Sequence, residues 1–264
     1  MPLVDAFADL VRAYLGQLLG FFALGATAWA LTRRSGWLDG RRIAVRGRPA
    51  DAAQLRHEVL HSCVALAAAT AQASVVMALH ERGLVELPEG PGAWGAFGVV
   101  VGCAALVAFN DLWFYGVHRL LHTRWLFKHV HSVHHRSVDV SPFSSYSFHF
   151  VEAILLTGWI VPMLLLVPVP MPVLAVVQVV GLLNNLMAHL GYELLPRWWA
   201  RTPLLRWSNT ATFHSLHHTR FNGNYGLFSR VWDRVFGTEL DGYEAAFEAA
   251  HAPGYPTRHE RPVP

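Results

Sequence analysis

Residues 117–135, VHRLLHTRWLFKHVHSVHH, hold six histidines in nineteen positions, and residues 213–218, FHSLHH, hold three more. His118 and His122 are spaced i, i+4; His131, His134 and His135 are spaced i, i+3, i+4; His214, His217 and His218 repeat that second spacing. On a helix these offsets gather the imidazoles on one face, so each motif presents two or three nitrogens to a common point. Eight imidazoles exceed what one ion takes. Tetrahedral zinc uses four ligands whereas two octahedral irons absorb more, which makes a dinuclear site the economical expectation. A lone HxxxH means little: His57 and His61 share the spacing in RHEVLH but stand apart and read as an ordinary interfacial pair. Three motifs together at a membrane boundary carry more weight, because neutral imidazole is costly to bury without a partner.

The surrounding chain is apolar. Of 264 residues 53% are hydrophobic and 15% charged, against about a quarter charged in a soluble domain, which points to a membrane protein. About four to five segments have the length of membrane helices: 12–32, 59–79, 93–117, and the pair 150–168 and 172–190, joined by the helix-breaking VPVPMP. The first lacks the basic leading cluster of a signal peptide, carries Asp5 and Asp9, and reads as a retained anchor. The loop 33–56 carries Arg33, Arg34, Arg41, Arg42, Arg46, Arg48 and Arg56, whereas 80–91 sets Arg82 against Glu81, Glu86 and Glu89. The positive-inside rule makes the first loop cytoplasmic, and counting crossings from it brings both histidine groups to that same side. Cys63 and Cys103 lie far apart in apolar runs, so neither a disulfide framework nor a cysteine metal site is expected. No recognition motif or basic aromatic platform suggests nucleic acid. RWWARTPLLRW, residues 197–207, reads as an amphipathic interfacial segment. The resulting division is 1–90 as N-terminal membrane helices, 91–245 as the catalytic domain and 246–264 as a flexible, proline-rich tail.

Further polar residues sit on helices leading to the same face. Asn185 and His189 are i, i+4 in an otherwise apolar helix, which makes His189 a ninth candidate ligand. Asn185 reads either as a helix–helix hydrogen bond or as a group near the metal. Asp111 shares a helical stripe with Tyr115, His118 and His122, so it either accepts the second ring N–H of a ligand or makes a plain polar contact. His149 and Glu152 are i, i+3 and read as groups touching the ligands or the substrate. His129 falls off both patterns and is expected to face the headgroups, while His80, His251 and His259 have no constellation around them.

The order HRLLH, HSVHH, HSLHH resembles the fatty acid hydroxylase and sterol desaturase superfamily of membrane di-iron enzymes. DLWFYGVHRLLH and FNGNYGLFSRVWDRVFGT are similar to further signatures of that superfamily, and the resemblance covers residues 100–240. HFVE departs from the usual H-P-x-E, with Phe150 in the proline's place. The resemblance implies an all-α integral membrane protein with a cytoplasmic histidine-rich cap. It also implies two iron ions held by His118, His122, His131, His134, His135, His214, His217 and His218, with His189 added and Asn185 holding a metal-bound water. The implied reaction uses O2 to hydroxylate or desaturate an unactivated C–H of a lipid such as a fatty acyl chain or a sterol. No dinucleotide fingerprint, cysteine set or haem domain is recognisable, so an external donor, a ferredoxin or a cytochrome with its reductase, is expected to supply electrons. The rival reading is a non-enzymatic membrane protein that binds zinc through the same histidines.

Overall fold

The computed structural model describes residues 2–43, 50–90 and 94–251. Arg46, Arg48, His259 and the tail from 252 onward lie outside them. Regular structure among the described residues is helical, with two isolated bridges, Arg42 to Tyr192 and Ser208 to Ser229.

Three long helices come first: α1 (Pro2–Arg34), α2 (Ala52–Glu81) and α3 (Gly95–Leu121). Then follow α4, continuous over 124–135, and the short α5 (Phe150–Thr157) and α6 (Ile160–Leu166). A fourth long helix, α7 (Met171–Ala188), precedes α8 (Ala211–Arg220). Four of these, α1, α2, α3 and α7, are long and apolar enough to cross a membrane. Leu19, Phe97, Val100 and Val179 are exposed on their outer surfaces, a pattern that suits contact with lipid.

The fourth expected span, 150–168, is not one continuous helix. It breaks after Thr157 and resumes at Ile160 because Pro162 has no N–H for the carbonyl of Gly158, four residues back, and its ring crowds that carbonyl. The segment is a shorter apolar pair of helices, and the prolines at 168, 170 and 172 turn the chain into α7.

α2 packs on α1 and α5, α3 packs on α5 and α7, and α7 packs on α8. Leu106, Trp159, Leu164, Val173 and Val177 fill one end of the bundle. Ala65, Ala68, Leu121, Val130, Phe148 and Leu156 fill the other, where α3 ends. Above that second layer sits a cap built on Phe213, Tyr243 and Phe247. Helix Tyr243–Ala249 therefore belongs to the packed cap, so residues 246–249, expected as tail, are helical. RWWARTPLLRW forms two 3₁₀ turns, with Trp198 and Leu204 exposed and Arg197 and Arg201 paired to Glu248.

Candidate metal centre

Nine histidines converge in two adjoining groups. His118, His122, His131, His135 and His217 form one; His134, His189, His214 and His218 form the other. Within each group one nitrogen per ring lies within 4.8 Å of all the rest. His135 of the first group and His218 of the second meet across the boundary with ring centroids 4.8 Å apart. Each triplet is therefore divided, not aimed at one point. Successive residues turn by about 100° on an α-helix, so i and i+4 nearly coincide while i+3 points elsewhere. His131 and His135 join the five-membered group and send His134 to the other; His214 and His218 join the four-membered group and send His217 back. The two motifs interlock like clasped hands. A π-helical turn, Phe127–His131, sits where α4 enters this arrangement, a distortion typical of functional sites that nothing in the histidine spacing announces.

Hydrogen bonds fix which ring nitrogen carries the proton. His118 Nδ1 donates to the Tyr225 carbonyl at 2.9 Å, His189 Nδ1 to the Asn185 carbonyl at 2.8 Å and His217 Nδ1 to the Gly223 carbonyl at 2.7 Å. His131 Nδ1 donates to Glu152 Oε1 at 2.7 Å. A carbonyl only accepts, so the Nε2 of neutral His118, His189 and His217 is a bare lone pair. His118 Nε2 nevertheless faces His131 Nε2 at 3.1 Å, and His217 Nε2 is buried with no partner. His135 Nε2 lies 3.0 Å from His131 Nε2 and 3.2 Å from His122 Nε2, while His214 Nε2 lies 3.0 Å from those of His189 and His218. Two lone pairs at that distance repel unless a cation lies between them. The separation matches ligands meeting at about a right angle with metal–nitrogen bonds of roughly 2.0–2.1 Å.

Protonation does not relieve the repulsion. Burial first, then neighbouring imidazoles, hold His131, His134, His135, His214, His217 and His218 well below the ordinary imidazole range. Burial likewise lowers His122 to about 2 and His189 to about 4. Neutral imidazoles with lone pairs inward are what a metal requires.

The closing segment aims the carbonyls. Gly223 at φ +126° and Asn224 at φ 57° form a turn whose carbonyls at 223 and 225 point to His217 and His118. A Cβ on Gly226 would lie 2.0 Å from the Ser229 carbonyl, so only glycine closes the turn. Asp233 accepts from the Tyr225 and Gly226 N–H groups, each at 2.8 Å, and from Thr238 Oγ1 at 2.7 Å. Arg230, 2% exposed, pairs with Glu239 and Glu244 over the Tyr243 ring.

Two buried carboxylates escaped the sequence reading. Glu58 accepts from Gln54 Nε2 (2.7 Å), Ser137 Oγ (2.8 Å) and Ser141 Oγ (2.5 Å), tying α2 to the chain just after His135. Glu193 accepts from Thr212 N (2.9 Å) and Thr212 Oγ1 (2.7 Å), holding the first turn of α8. A buried acid inside RHEVLH or GYELLP is the signal that was there to notice, since a carboxylate in an apolar run needs donors.

Other expected residues fall differently. Asp111 meets no histidine; it accepts from Phe228 N (2.7 Å), Ser229 N (3.2 Å) and Ser229 Oγ (2.5 Å), fastening the closing segment to α3. His149 stands at the N-terminus of α5, accepting from Val151 N at 3.2 Å, and is a cap, whereas Glu152 one turn later reaches His131. Asn185 donates from Nδ2 to the Ser145 carbonyl at 2.6 Å and lines the cavity beneath His118, His131 and His189. His57 does not stand apart: its Nε2 donates to the Val133 carbonyl, between His131 and His134 on α4. His129 is exposed beside Trp125. The basic loop docks on the chain after His189, with Ile43 N donating to Gly191 O and Glu193 N to Arg41 O, both at 2.9 Å.

Comparison with known proteins agrees with this geometry. The chain is 33% identical over 166 residues to a very-long-chain aldehyde decarbonylase of Oryza sativa subsp. indica, covering 59% of this chain and 25% of that protein. It is 32% identical over 160 residues to a probable Delta(7)-sterol 5(6)-desaturase of Neurospora crassa, covering 58% and 42%. It is also 32% identical over 154 residues to a Delta(7)-sterol 5(6)-desaturase of Leptosphaeria maculans, covering 57% and 39%. The matched region thus spans between a quarter and about two fifths of these curated relatives. No solved structure matches the chain. Residues 103–238, which enclose all nine clustered histidines and the turn that orients them, match the model described as fatty acid hydroxylase, and the chain belongs to that family.

Proposed function

We propose that the protein is a membrane di-iron oxidoreductase that uses O2 and external electrons to hydroxylate or desaturate an unactivated C–H of a lipid, such as a fatty acyl chain or a sterol. The observation that carries this reading is the convergence of nine imidazoles, eight of them buried, into two adjoining groups, in each of which one nitrogen per ring lies within 4.8 Å of all the rest. His118, His122, His131, His135 and His217 would hold one ion and His134, His189, His214 and His218 the other. Five nitrogens exceed the four of a tetrahedral zinc site, which favours iron in the larger group. When bound, a ferrous pair supplies O2 reduction and hydrogen removal, chemistry that no side chain provides.

The chain's own contributions are positional. Glu152 keeps the Nδ1 proton of His131 and fixes that ring's orientation. Phe114, Phe148 and Leu156 line the cavity under the histidines and exclude water from the reacting carbon. The relatives' names speak of sterol desaturation and aldehyde decarbonylation, both acting on largely apolar molecules, and a cavity walled by membrane helices admits such a body without a passage through water. Electrons would come from a ferredoxin or a cytochrome with its reductase. The exposed Arg33, Arg34, Arg56 and Arg136 favour an acidic carrier on the cytoplasmic side.

Metal analysis of anaerobically purified protein tests the reading. About two irons per chain with reductant-dependent O2 consumption are expected; redox-silent zinc overturns it in favour of a zinc-binding protein. His217→Ala and His214→Ala are expected to abolish product while the chain still inserts in the membrane.

A further inference from the structure

A cleft runs between α3, α5 and α7. Phe114, Phe148, Leu156, Asn185 and Leu227 line it and also line the smaller cavity that touches His118, His131 and His189, so the two cavities adjoin through these shared side chains. Its far part carries two amides, Asn110 on α3 and Gln178 on α7. Asn184 donates to the Leu227 carbonyl, Asn185 to the Ser145 carbonyl and Thr157 to Gln72, whereas the Tyr146 hydroxyl, which also lines the cleft, is unpartnered among the described residues. Asn110 and Gln178 have no hydrogen-bond partner among the described residues. Asn110 is 7% exposed, and Gln178 lies exposed on a membrane helix. An amide in the hydrocarbon layer without a partner is costly, and such residues there mark ligand paths.

Position sets the scale. Asn110 precedes His118 by eight residues and Gln178 precedes His189 by eleven, offsets of about 12 and 16 Å along their helices. No charged side chain lines the cleft among the described residues, so a carboxylate or phosphate finds no counter-ion there. Each amide offers both a donor and an acceptor, which suits a group that also does both.

We propose that Asn110 and Gln178 form a polar subsite within the membrane that holds a lipid hydroxyl, roughly 12–16 Å from the carbon presented to the histidines. The subsite selects elongated neutral lipids with a hydroxyl at that remove, and it sets which carbon is oxidised by counting from the hydroxyl. Only the last point rests on the oxidoreductase reading.

The test is equilibrium binding of radiolabelled hexadecanol and hexadecane to the full chain as purified in detergent, under argon and without reductant, so that no turnover occurs. Wild type should prefer the alcohol by about tenfold. Gln178→Leu should weaken that preference and Asn110→Leu/Gln178→Leu should remove it, with hexadecane binding retained. Gln178 is exposed, so its single variant keeps the test decisive even where the double variant fails to fold. Equal wild-type affinities, or a preference that survives Gln178→Leu undiminished, overturn the proposal. A preference for the alcohol in a protein that forms no oxidised product supports the subsite and overturns the oxidoreductase reading instead.

Discussion

Glu152 and His149 lie one helical turn apart and do unlike work. Glu152 accepts the Nδ1 proton of His131, whereas His149 caps α5. Removing a carboxylate that orients a ligand typically lowers metal affinity about 10–100-fold. Glu152→Ala is expected to show that loss in chelator titrations, and Glu152→Gln a smaller one, because an amide oxygen still accepts from the ring. His149→Ala should leave metal content unchanged and cost about 1 kcal/mol of stability. Tyr243 is a second residue with a definite signature: burial pushes its phenol up to about 12, against hydrogen bonding to Thr210 and the nearby Arg230. The fold prefers the protonated phenol, so this contribution is complete below the unfolded value near 10 and is lost as pH rises through about 12. Thermal unfolding followed from about pH 8 to about pH 11 should show a loss on the order of 1–2 kcal/mol that Tyr243→Phe removes.

At the scale of elements, the site depends on how α8 and the closing turn are pinned. Glu193 and the N-cap Thr210 together satisfy the first N–H groups of α8. Glu193→Ala leaves buried donors unpaired and should destabilise the cap by about 1–3 kcal/mol, read as earlier thermal unfolding. Gly226→Ala forces the 223–229 turn apart, since the new methyl meets the Ser229 carbonyl. The carbonyl that Tyr225 offers His118 then moves, and metal should be lost first from the five-histidine group, seen as fractional metal content. The histidine spacing announced that helices present the imidazoles together, but it left open how two triplets sort into two groups. The answer lies in the 100° step between adjacent residues, which becomes meaningful only once two helices face each other. Asp111 shows the converse: its stripe pointed to His118, yet the closing segment, more than a hundred residues later in sequence, supplies nearer donors.

For the molecule as a whole, the basic loop before α2 and the histidine centre lie at one end of the bundle, joined through Arg41, Ile43, Gly191 and Glu193. With Arg34 inside and Glu86 outside by the positive-inside rule, an impermeant thiol reagent applied to intact cells should label Glu86→Cys and spare Arg34→Cys. Labelling of Arg34→Cys would invert the proposed orientation and with it the side on which electrons arrive. The sequence by itself determined the helical class, the apolar spans and the nine ligand candidates, because hydropathy, helical period and histidine spacing are local properties written in consecutive residues. Only the tertiary structure decided the break in the fourth span, the sorting of nine histidines into groups of five and four, and the tautomers that turn the lone pairs of His118, His189 and His217 inward. It also brought together the unpartnered amides of α3 and α7. Those features depend on which distant backbone carbonyls, carboxylates and helices arrive beside each ring, and such contacts are set by packing rather than by neighbours along the chain.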